Sequence, residues 1–120
     1  MKILIVDDST INNILIQSIL EDKGYETTAV LDGHEAFRKI DQYNPELIIL
    51  DIMMPEISGF DVLKRLRNMD YSIPVIALSA YKDKKYEKHA LSLGASAYLH
   101  KPVNPEVLFN TIEKCKVSQE

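Results

Sequence analysis

The chain alternates short apolar runs with segments of helical periodicity along its whole length, and this alternation restricts its fold more than any other feature. The five apolar runs, each about as long as a β-strand, are residues 3–6, 25–30, 47–50, 73–78 and 97–99. Strands that are apolar on both faces belong in a sheet covered on both sides, and alternation with helices makes such a sheet parallel. The pattern therefore predicts a doubly wound α/β fold with five strands and five helices.

The segments between the apolar runs carry helix start and stop signals. The first helix begins at a Ser9-Thr10 cap and ends before Gly24, and the second covers residues 33–43. Apolar spacings of three to five predict one buried face on the first helix, formed by Ile11, Ile14, Leu15, Ile19 and Leu20. The fifth helix opens at Asn104-Pro105, and its predicted inward row is Leu108, Thr111, Ile112 and Cys115.

Length, charge and cysteine content exclude several classes of protein. The 120 residues predict one compact domain over 1–120, with a frayed tail at 117–120. A net charge of −4 leaves no broad basic surface, so we expect no direct binding to nucleic acid. The single cysteine, Cys115, excludes an internal disulfide. No apolar stretch approaches the roughly 18 residues of a membrane span, and no signal peptide is evident, which predicts a cytoplasmic protein.

Polar residues lie just after four of the five apolar runs, where ligands of open parallel sheets bind. They are Asp7 and Asp8, Asp51, Ser79 and Lys101. Three carboxylates at one edge repel one another, which favours a bound divalent cation, and Mg²⁺ prefers such oxygen ligands, with Mn²⁺ as a substitute. A carboxylate there can attack phosphorus, while Lys101 and Ser79 supply a positive charge and a hydroxyl for the transferred group.

These residues and their order resemble the receiver domain of two-component response regulators. The matching motifs are Ile5-Val6-Asp7-Asp8-Ser9, Ile48-Ile49-Leu50-Asp51-Ile52-Met53-Met54-Pro55 with Gly59, Leu78-Ser79-Ala80 and Tyr98-Leu99-His100-Lys101-Pro102. The resemblance implies a flavodoxin-like (βα)₅ fold, with a parallel sheet of strand order 2-1-3-4-5 and helices on both faces.

The resemblance also implies a phosphoacceptor and a metal site. Asp51 accepts a phosphoryl group from a sensor histidine kinase or a histidine phosphotransfer protein. Asp8 and Asp51 ligate Mg²⁺, while Asp7 assists through a water and Met53 contributes its backbone carbonyl. On this interpretation the chain is a signalling switch that catalyses its own phosphorylation and dephosphorylation, and it is not a turnover enzyme.

Further residues are implied to report the phosphorylation. Lys101 pairs with the phosphoryl oxygens, Ser79 swings to hydrogen-bond them, and Tyr98 turns inward. The residues with structural roles are Gly59, Ala80, which leaves room for the phosphoryl group, and Pro102, which follows a cis peptide bond. The output face is built from the fourth helix, the fifth strand and the fifth helix, and its downstream effector is not indicated.

Three alternative functions stay open at the level of sequence. A phosphatase of the haloacid dehalogenase type needs a second acid two positions after its nucleophile, where this chain has Met53. A flavin mononucleotide binder would have its phosphate repelled by Asp7-Asp8. A degenerate receiver would act as a scaffold without phosphorylation. The oligomeric state is a monomer or a phosphorylation-dependent homodimer, but Ser96 and Ala97 replace the paired acids that form dimer salt bridges in one large subfamily.

Overall fold

The structure, a computed structural model, describes residues 1–119, with side chains through residue 116. The strands are β1 (Lys2–Val6), β2 (Glu26–Val30), β3 (Leu47–Asp51), β4 (Val75–Ser79) and β5 (Ala97–His100). The helices are α1 (Thr10–Asp22), α2 (Gly33–Tyr43), α3 (Gly59–Asn68), α4 (Lys84–Ser92) and α5 (Pro105–Gln119). The strands form one parallel sheet in the order β2-β1-β3-β4-β5, which confirms the predicted fold class and strand order.

Alternate side chains of the central strands enter two separate cores. Leu4 and Val6 of β1 join the cluster that includes residues from α2, α3 and α4. Ile3 and Ile5 join the cluster formed with α1 and α5. Successive side chains of a strand point to opposite faces of the sheet, so the two clusters lie on opposite sides of it. Helices therefore cover both sides of the sheet. No helix in the described part of the chain is long and apolar enough to span a membrane.

Side-chain caps fix where the helices begin. The Ser9 hydroxyl accepts a hydrogen bond from the Asn12 amide at 3.3 Å, as the predicted cap of α1 requires. Ser58 and Asp61 form a reciprocal capping box at the start of α3. The predicted limits of the second helix are confirmed, since α2 ends at Tyr43 and Asn44 follows in the left-handed conformation with φ of 52°.

The predicted buried face of α1 is wrong at three of its five residues, while Leu20 is buried and Ile19 is half-buried. The exposed fractions are 72% for Ile11, 58% for Ile14 and 55% for Leu15. The helix instead packs on the sheet through Asn13, Ile16 and Leu20. Apolar residues lie on more than one side of α1, so periodicity alone could not select the inner row. A buried polar residue, Asn13, occupies a position that the pattern would assign to solvent.

The last helix follows its predicted inner row with one exception. Leu108, Ile112 and Cys115 are buried, whereas Thr111 is half-buried and donates its hydroxyl to the Val107 carbonyl at 2.7 Å. The helix continues through Gln119. Residue 120 lies outside the described residues, and the frayed tail expected at 117–120 stays a prediction.

Candidate functional site

Three carboxylates meet at the carboxyl edge of the sheet. One ligand oxygen from each of Asp7, Asp8 and Asp51 lies within 4.8 Å of the others. Asp7 and Asp51 are 1% and 3% exposed, while Asp8 faces solvent. They converge because β1 and β3 are neighbouring parallel strands, so that the residues after Val6 and Leu50 emerge side by side.

Lys101 neutralises part of this negative charge. Its ammonium donates to Asp7 Oδ2 at 3.0 Å and lies 3.3 Å from Asp51 Oδ1. Burial lowers the pKa of this ammonium, but the hydrogen bond with Asp7 and the attraction of Asp51 outweigh that effect, so the pKa is raised overall. Lys101 therefore stays charged and bridges the two buried carboxylates.

The environment of Asp51 disfavours the ionised form of its carboxyl group. Burial raises its pKa from 3.8 to about 6, and repulsion from Asp7 adds to the rise, while Lys101 and the Met53 amide oppose it. The Met53 amide donates to Asp51 Oδ1 at 3.1 Å. Among the described residues, Asp51 Oδ2 accepts no hydrogen bond. One oxygen of a buried, destabilised carboxylate is thus available to react or to bind a cation.

The donor set fits Mg²⁺. All three side chains offer oxygen, the ligand type that Mg²⁺ prefers, and solvent reaches the cluster at Asp8, where the ion could keep several of its waters. Asp7 is less available, because its Oδ1 accepts from the Ser9 amide at 2.8 Å and its Oδ2 from Lys101. Asp8 and Asp51 are therefore the better direct ligands, and Asp7 is suited to an indirect role.

Ser79 lies at the end of β4, within the same edge. Its side chain is fully buried, and its hydroxyl oxygen accepts from the Tyr81 amide at 3.0 Å. Its carbonyl accepts from the Lys101 amide at 2.9 Å, which ties the ends of β4 and β5 together. Ala80 follows at an exposed position, so no bulky side chain stands there.

Tyr98 lies on β5, two strand positions before His100, and packs its ring edge-on to that imidazole at 5.5 Å. The side chain is half-buried, and its hydroxyl is already enclosed, with no hydrogen-bond partner among the described residues. A buried hydroxyl without a partner destabilises by about 1–3 kcal/mol. The inward turn of Tyr98 that the resemblance implies stays a prediction.

The remaining predicted residues surround Asp51 and Lys101. The Gly59 amide donates to the Ile52 carbonyl at 2.9 Å, which brings the first turn of α3 against the end of β3. The Met53 side chain is 45% exposed beside that end. The peptide bond between Lys101 and Pro102 is cis, the conformation implied by the resemblance.

The comparison with protein families agrees with this geometry. A family model described as the response regulator receiver domain matches residues 3–113. The chain belongs to that family. It is therefore a receiver of two-component signalling, with the sheet order and strand-end acids that its sequence motifs led us to expect.

Several relatives and solved structures resemble this receiver. The transcriptional regulatory protein PhoP for alkaline phosphatase synthesis in Bacillus subtilis is 41% identical over 87% of the chain, which spans only 43% of that relative. The polar-differentiation response regulator DivK of Brucella anthropi is 36% identical, with 93% of each chain covered.

Among solved structures, the Francisella response regulator 1452 receiver domain has a TM-score of 0.93 at 32% identity, covering 99% of this chain and 98% of its own. Vibrio cholerae chemotaxis protein CheY4 has a TM-score of 0.89 at 33% identity, covering 95% and 97%.

Proposed function

We propose that this receiver takes a phosphoryl group from a phosphohistidine onto Asp51, in a reaction that requires Mg²⁺ and also proceeds with Mn²⁺. The observation that carries the proposal is the state of Asp51, which is buried, has a raised pKa and keeps one carboxylate oxygen without a hydrogen bond. Lys101 and the acids of the cluster surround it. The donor is a sensor histidine kinase or a histidine phosphotransfer protein, and we place the reaction in the cytoplasm, where the ATP that charges such histidines is found.

In the transfer, Asp51 Oδ2 attacks the phosphorus, the new P–O bond forms, and the P–N bond to the donor histidine breaks with its electron pair returning to the imidazole. Asp8 and Asp51 would hold Mg²⁺, which would supply charge neutralisation for the phosphoryl oxygens. The Met53 amide orients Asp51 through Oδ1. Lys101, already between Asp7 and Asp51, can follow the negative charge onto the phosphoryl group.

The phosphoryl group then acts as a switch, and the chain is not a turnover enzyme. The phosphoryl group carries about −1.5 to −2 units of charge beside Ser79 and Lys101, in place of the single negative charge of the Asp51 carboxylate. Ser79 can donate its hydroxyl proton to a phosphoryl oxygen, and we propose that the rotation this needs weakens its hydrogen bond from the Tyr81 amide, which begins the connection to α4. Tyr81 stacks on Tyr86 of α4 with ring centroids 4.6 Å apart. A change at Ser79 is thereby passed to the output face of α4, β5 and α5.

Mass spectrometry with acetyl phosphate tests the proposal. The intact protein is expected to gain one phosphoryl group in the presence of Mg²⁺ or Mn²⁺ and none in EDTA, with the label on the peptide that contains Asp51. Beryllofluoride with Mg²⁺ should give a stable unlabelled mimic of the same state. Labelling that persists in EDTA, or that maps to another residue, would contradict the assignment. A complete lack of labelling would favour the alternative of a phosphorylation-independent scaffold.

The exposed apolar residues of α1 suggest where the donor protein docks. Ile11, Ile14 and Leu15 form this α1 patch, and Leu15 also lines a cleft of about 230 Å³ that reaches Lys101 and Pro102. A donor histidine must approach Asp51 closely, so the donor has to cover the surface next to Lys101. We assign the α1 patch to the phosphohistidine-bearing partner, because it is apolar, exposed and continuous with the reactive edge.

Charged substitutions in the α1 patch should slow phosphorylation by a protein donor without changing phosphorylation by acetyl phosphate. The donor in this test is a phosphohistidine protein that phosphorylates the unaltered chain. Ile14→Glu and Leu15→Glu are expected to slow phosphotransfer from it at least about tenfold, because burying a carboxylate at an apolar contact is costly. Labelling by acetyl phosphate should be unchanged. Met69→Glu is the matched control, since Met69 is 51% exposed and lies beyond α3 at the opposite edge of the sheet. Equal effects on both donors would refute the docking assignment.

Replacement of Lys101 should destabilise the metal-free protein. Lys101→Met leaves Asp7 and Asp51 buried without a counter-charge, and we expect the free energy of unfolding in EDTA at neutral pH to fall by about 2–4 kcal/mol. Saturating Mg²⁺ should restore most of that loss, and phosphorylation should no longer change the conformation read by amide NMR shifts in α4. The variant Lys116→Met, which removes a mostly exposed pair with Glu113, is the control and should change little.

A further inference from the structure

Asn13 is a buried polar residue on the inner row of α1 that the phosphotransfer chemistry does not use. Its side chain is 4% exposed. Nδ2 donates to the Asp7 carbonyl at 3.0 Å and to the Val30 carbonyl at 3.2 Å. Its Oδ1 is buried and has no hydrogen-bond partner among the described residues. The side chain therefore contributes two donors and carries an unsatisfied acceptor.

That arrangement is unfavourable for packing alone. The other inner positions of α1 are filled by Ile16 and Leu20, which bury only apolar surface. A carboxamide in the same row loses the hydration of its oxygen without gaining a partner for it. The contribution of Asn13 must then lie in its two donors, and both of them reach the ends of strands at the reactive edge.

The hydrogen bond from Asn13 completes the set of contacts that hold Asp7. The Asp7 amide donates to the Val30 carbonyl at 3.2 Å. Asp7 Oδ1 accepts from the Ser9 amide, and Oδ2 accepts from Lys101. Because Asn13 donates to the Asp7 carbonyl, each polar group of Asp7 has a hydrogen-bond partner. The backbone that leads into Asp8 is therefore held in place at Asp7.

We infer that Asn13 is a positioning residue that sets the geometry of Asp7 and Asp8 for cation binding and thereby for phosphoryl transfer. The inference rests on the proposed function, since it concerns the same cluster of acids. Partners that orient metal-binding groups without touching the metal typically change affinity by about 10–100-fold when they are removed. Asn13 acts through the main chain of Asp7 and touches neither the ion nor the phosphoryl group.

Calorimetric titration with Mg²⁺ tests this role, with Asn13→Ala as the main variant. We expect its Mg²⁺ affinity to fall by about tenfold. In metal-free protein, the ¹H–¹⁵N signal of the Ser9 amide should shift, because this amide reports the orientation of the Asp7 carboxylate. Phosphorylation by acetyl phosphate should recover to near the unaltered rate at saturating Mg²⁺. Asn13→Ser keeps one hydrogen-bond donor, so it should show smaller changes in Mg²⁺ affinity and in the Ser9 signal. If Asn13→Ala does not fold, Asn13→Ser is the variant to be measured.

Gln17→Ala is the matched control. Gln17 is the next amide along α1, and it also bonds to β2, through Thr27 Oγ1 at 3.2 Å, but it does not contact the β1–α1 connection. Its removal should leave Mg²⁺ affinity and the Ser9 signal unchanged. Unchanged Mg²⁺ affinity in both Asn13 variants, or an equal loss in Gln17→Ala, would overturn the inference. If the unaltered chain itself bound no Mg²⁺ and took no phosphoryl group, the proposed function would fail instead, so the two failures are distinguishable.

Discussion

Asp51→Asn is expected to abolish phosphorylation and, in the absence of metal, to make the folded protein more stable at neutral pH. The amide cannot attack phosphorus as a carboxylate does, so labelling by acetyl phosphate should be lost. The gain in stability has a separate cause. Burial and the Asp7 charge raise the pKa of Asp51 from 3.8 to about 6, so its ionised form is disfavoured in the folded state. At about 1.4 kcal/mol per pKa unit, removing this charge stabilises the fold by up to about 3 kcal/mol.

The pH dependence identifies the group responsible. Asp51 ionises above about 3.8 in the unfolded chain but only above about 6 in the folded one. Between these values the folded state binds more protons, so stability falls as pH rises, and it reaches its full loss above pH 6. Asp51→Asn should lack this slope, matching the unaltered protein near pH 4 and exceeding it at pH 7–8.

Urea unfolding in EDTA across pH 4–8 measures this difference. Asp22→Asn is the control, because Asp22 is an exposed acid at the end of α1 and its replacement should leave the slope in place. Equal stability of Asp51→Asn and unaltered protein at pH 8 would contradict the raised pKa. Added Mg²⁺ should reverse the order, since a ligand stabilises only the protein that binds it. On the proposed function, the carboxylate that reacts is a source of instability in the metal-free protein, and cation binding should relieve it.

The sequence was sufficient to predict the fold and the members of the acidic cluster, because both follow from strand ends. A parallel sheet places the residues after each strand on one edge, so Asp7, Asp51 and Lys101 could be assigned to one site before any distance was known. The strand order could not be predicted in this way. Apolar runs carry no record of which strands are neighbours, and the order came from the resemblance.

The hydrophobic pattern could not predict which groups the side chains contact. Helical periodicity treats Asn13 as a solvent-facing residue, and only the carbonyls of Asp7 and Val30 make its burial favourable. The exposure of Ile14 and Leu15 was missed for a related reason, since an apolar residue on the surface of a helix looks the same in sequence as one in the core. These residues all lie on α1, the helix that we propose to position the acidic cluster and to bind the phosphoryl donor.

Gly59→Ala is expected to be the most disruptive of the four glycine-to-alanine changes that the chain allows. The added Cβ would overlap the carbonyl oxygen of Asp51 and lie 2.7 Å from Ile52 Cα. Both are main-chain atoms at the end of β3, which carries the proposed phosphoacceptor, and they cannot rotate away as a side chain would. The first turn of α3 must then separate from that end, with loss of the 2.9 Å hydrogen bond from the Gly59 amide to the Ile52 carbonyl. Overpacking of this kind costs about 1–3 kcal/mol, and more where backbone must move.

The functional consequence should exceed the loss of stability. Displacing the backbone at Asp51 and Ile52 moves the carboxylate relative to Asp8 and Lys101, so Mg²⁺ affinity and acetyl phosphate labelling should fall together, in folded protein as judged by far-UV circular dichroism. Gly24→Ala separates the two effects. Gly24 has φ of +88° with no atom near an added Cβ, so its replacement should cost about 1–2 kcal/mol through backbone strain and leave labelling intact. If Gly59→Ala were labelled as fast as Gly24→Ala, the close contact at Asp51 would not be what positions the phosphoacceptor.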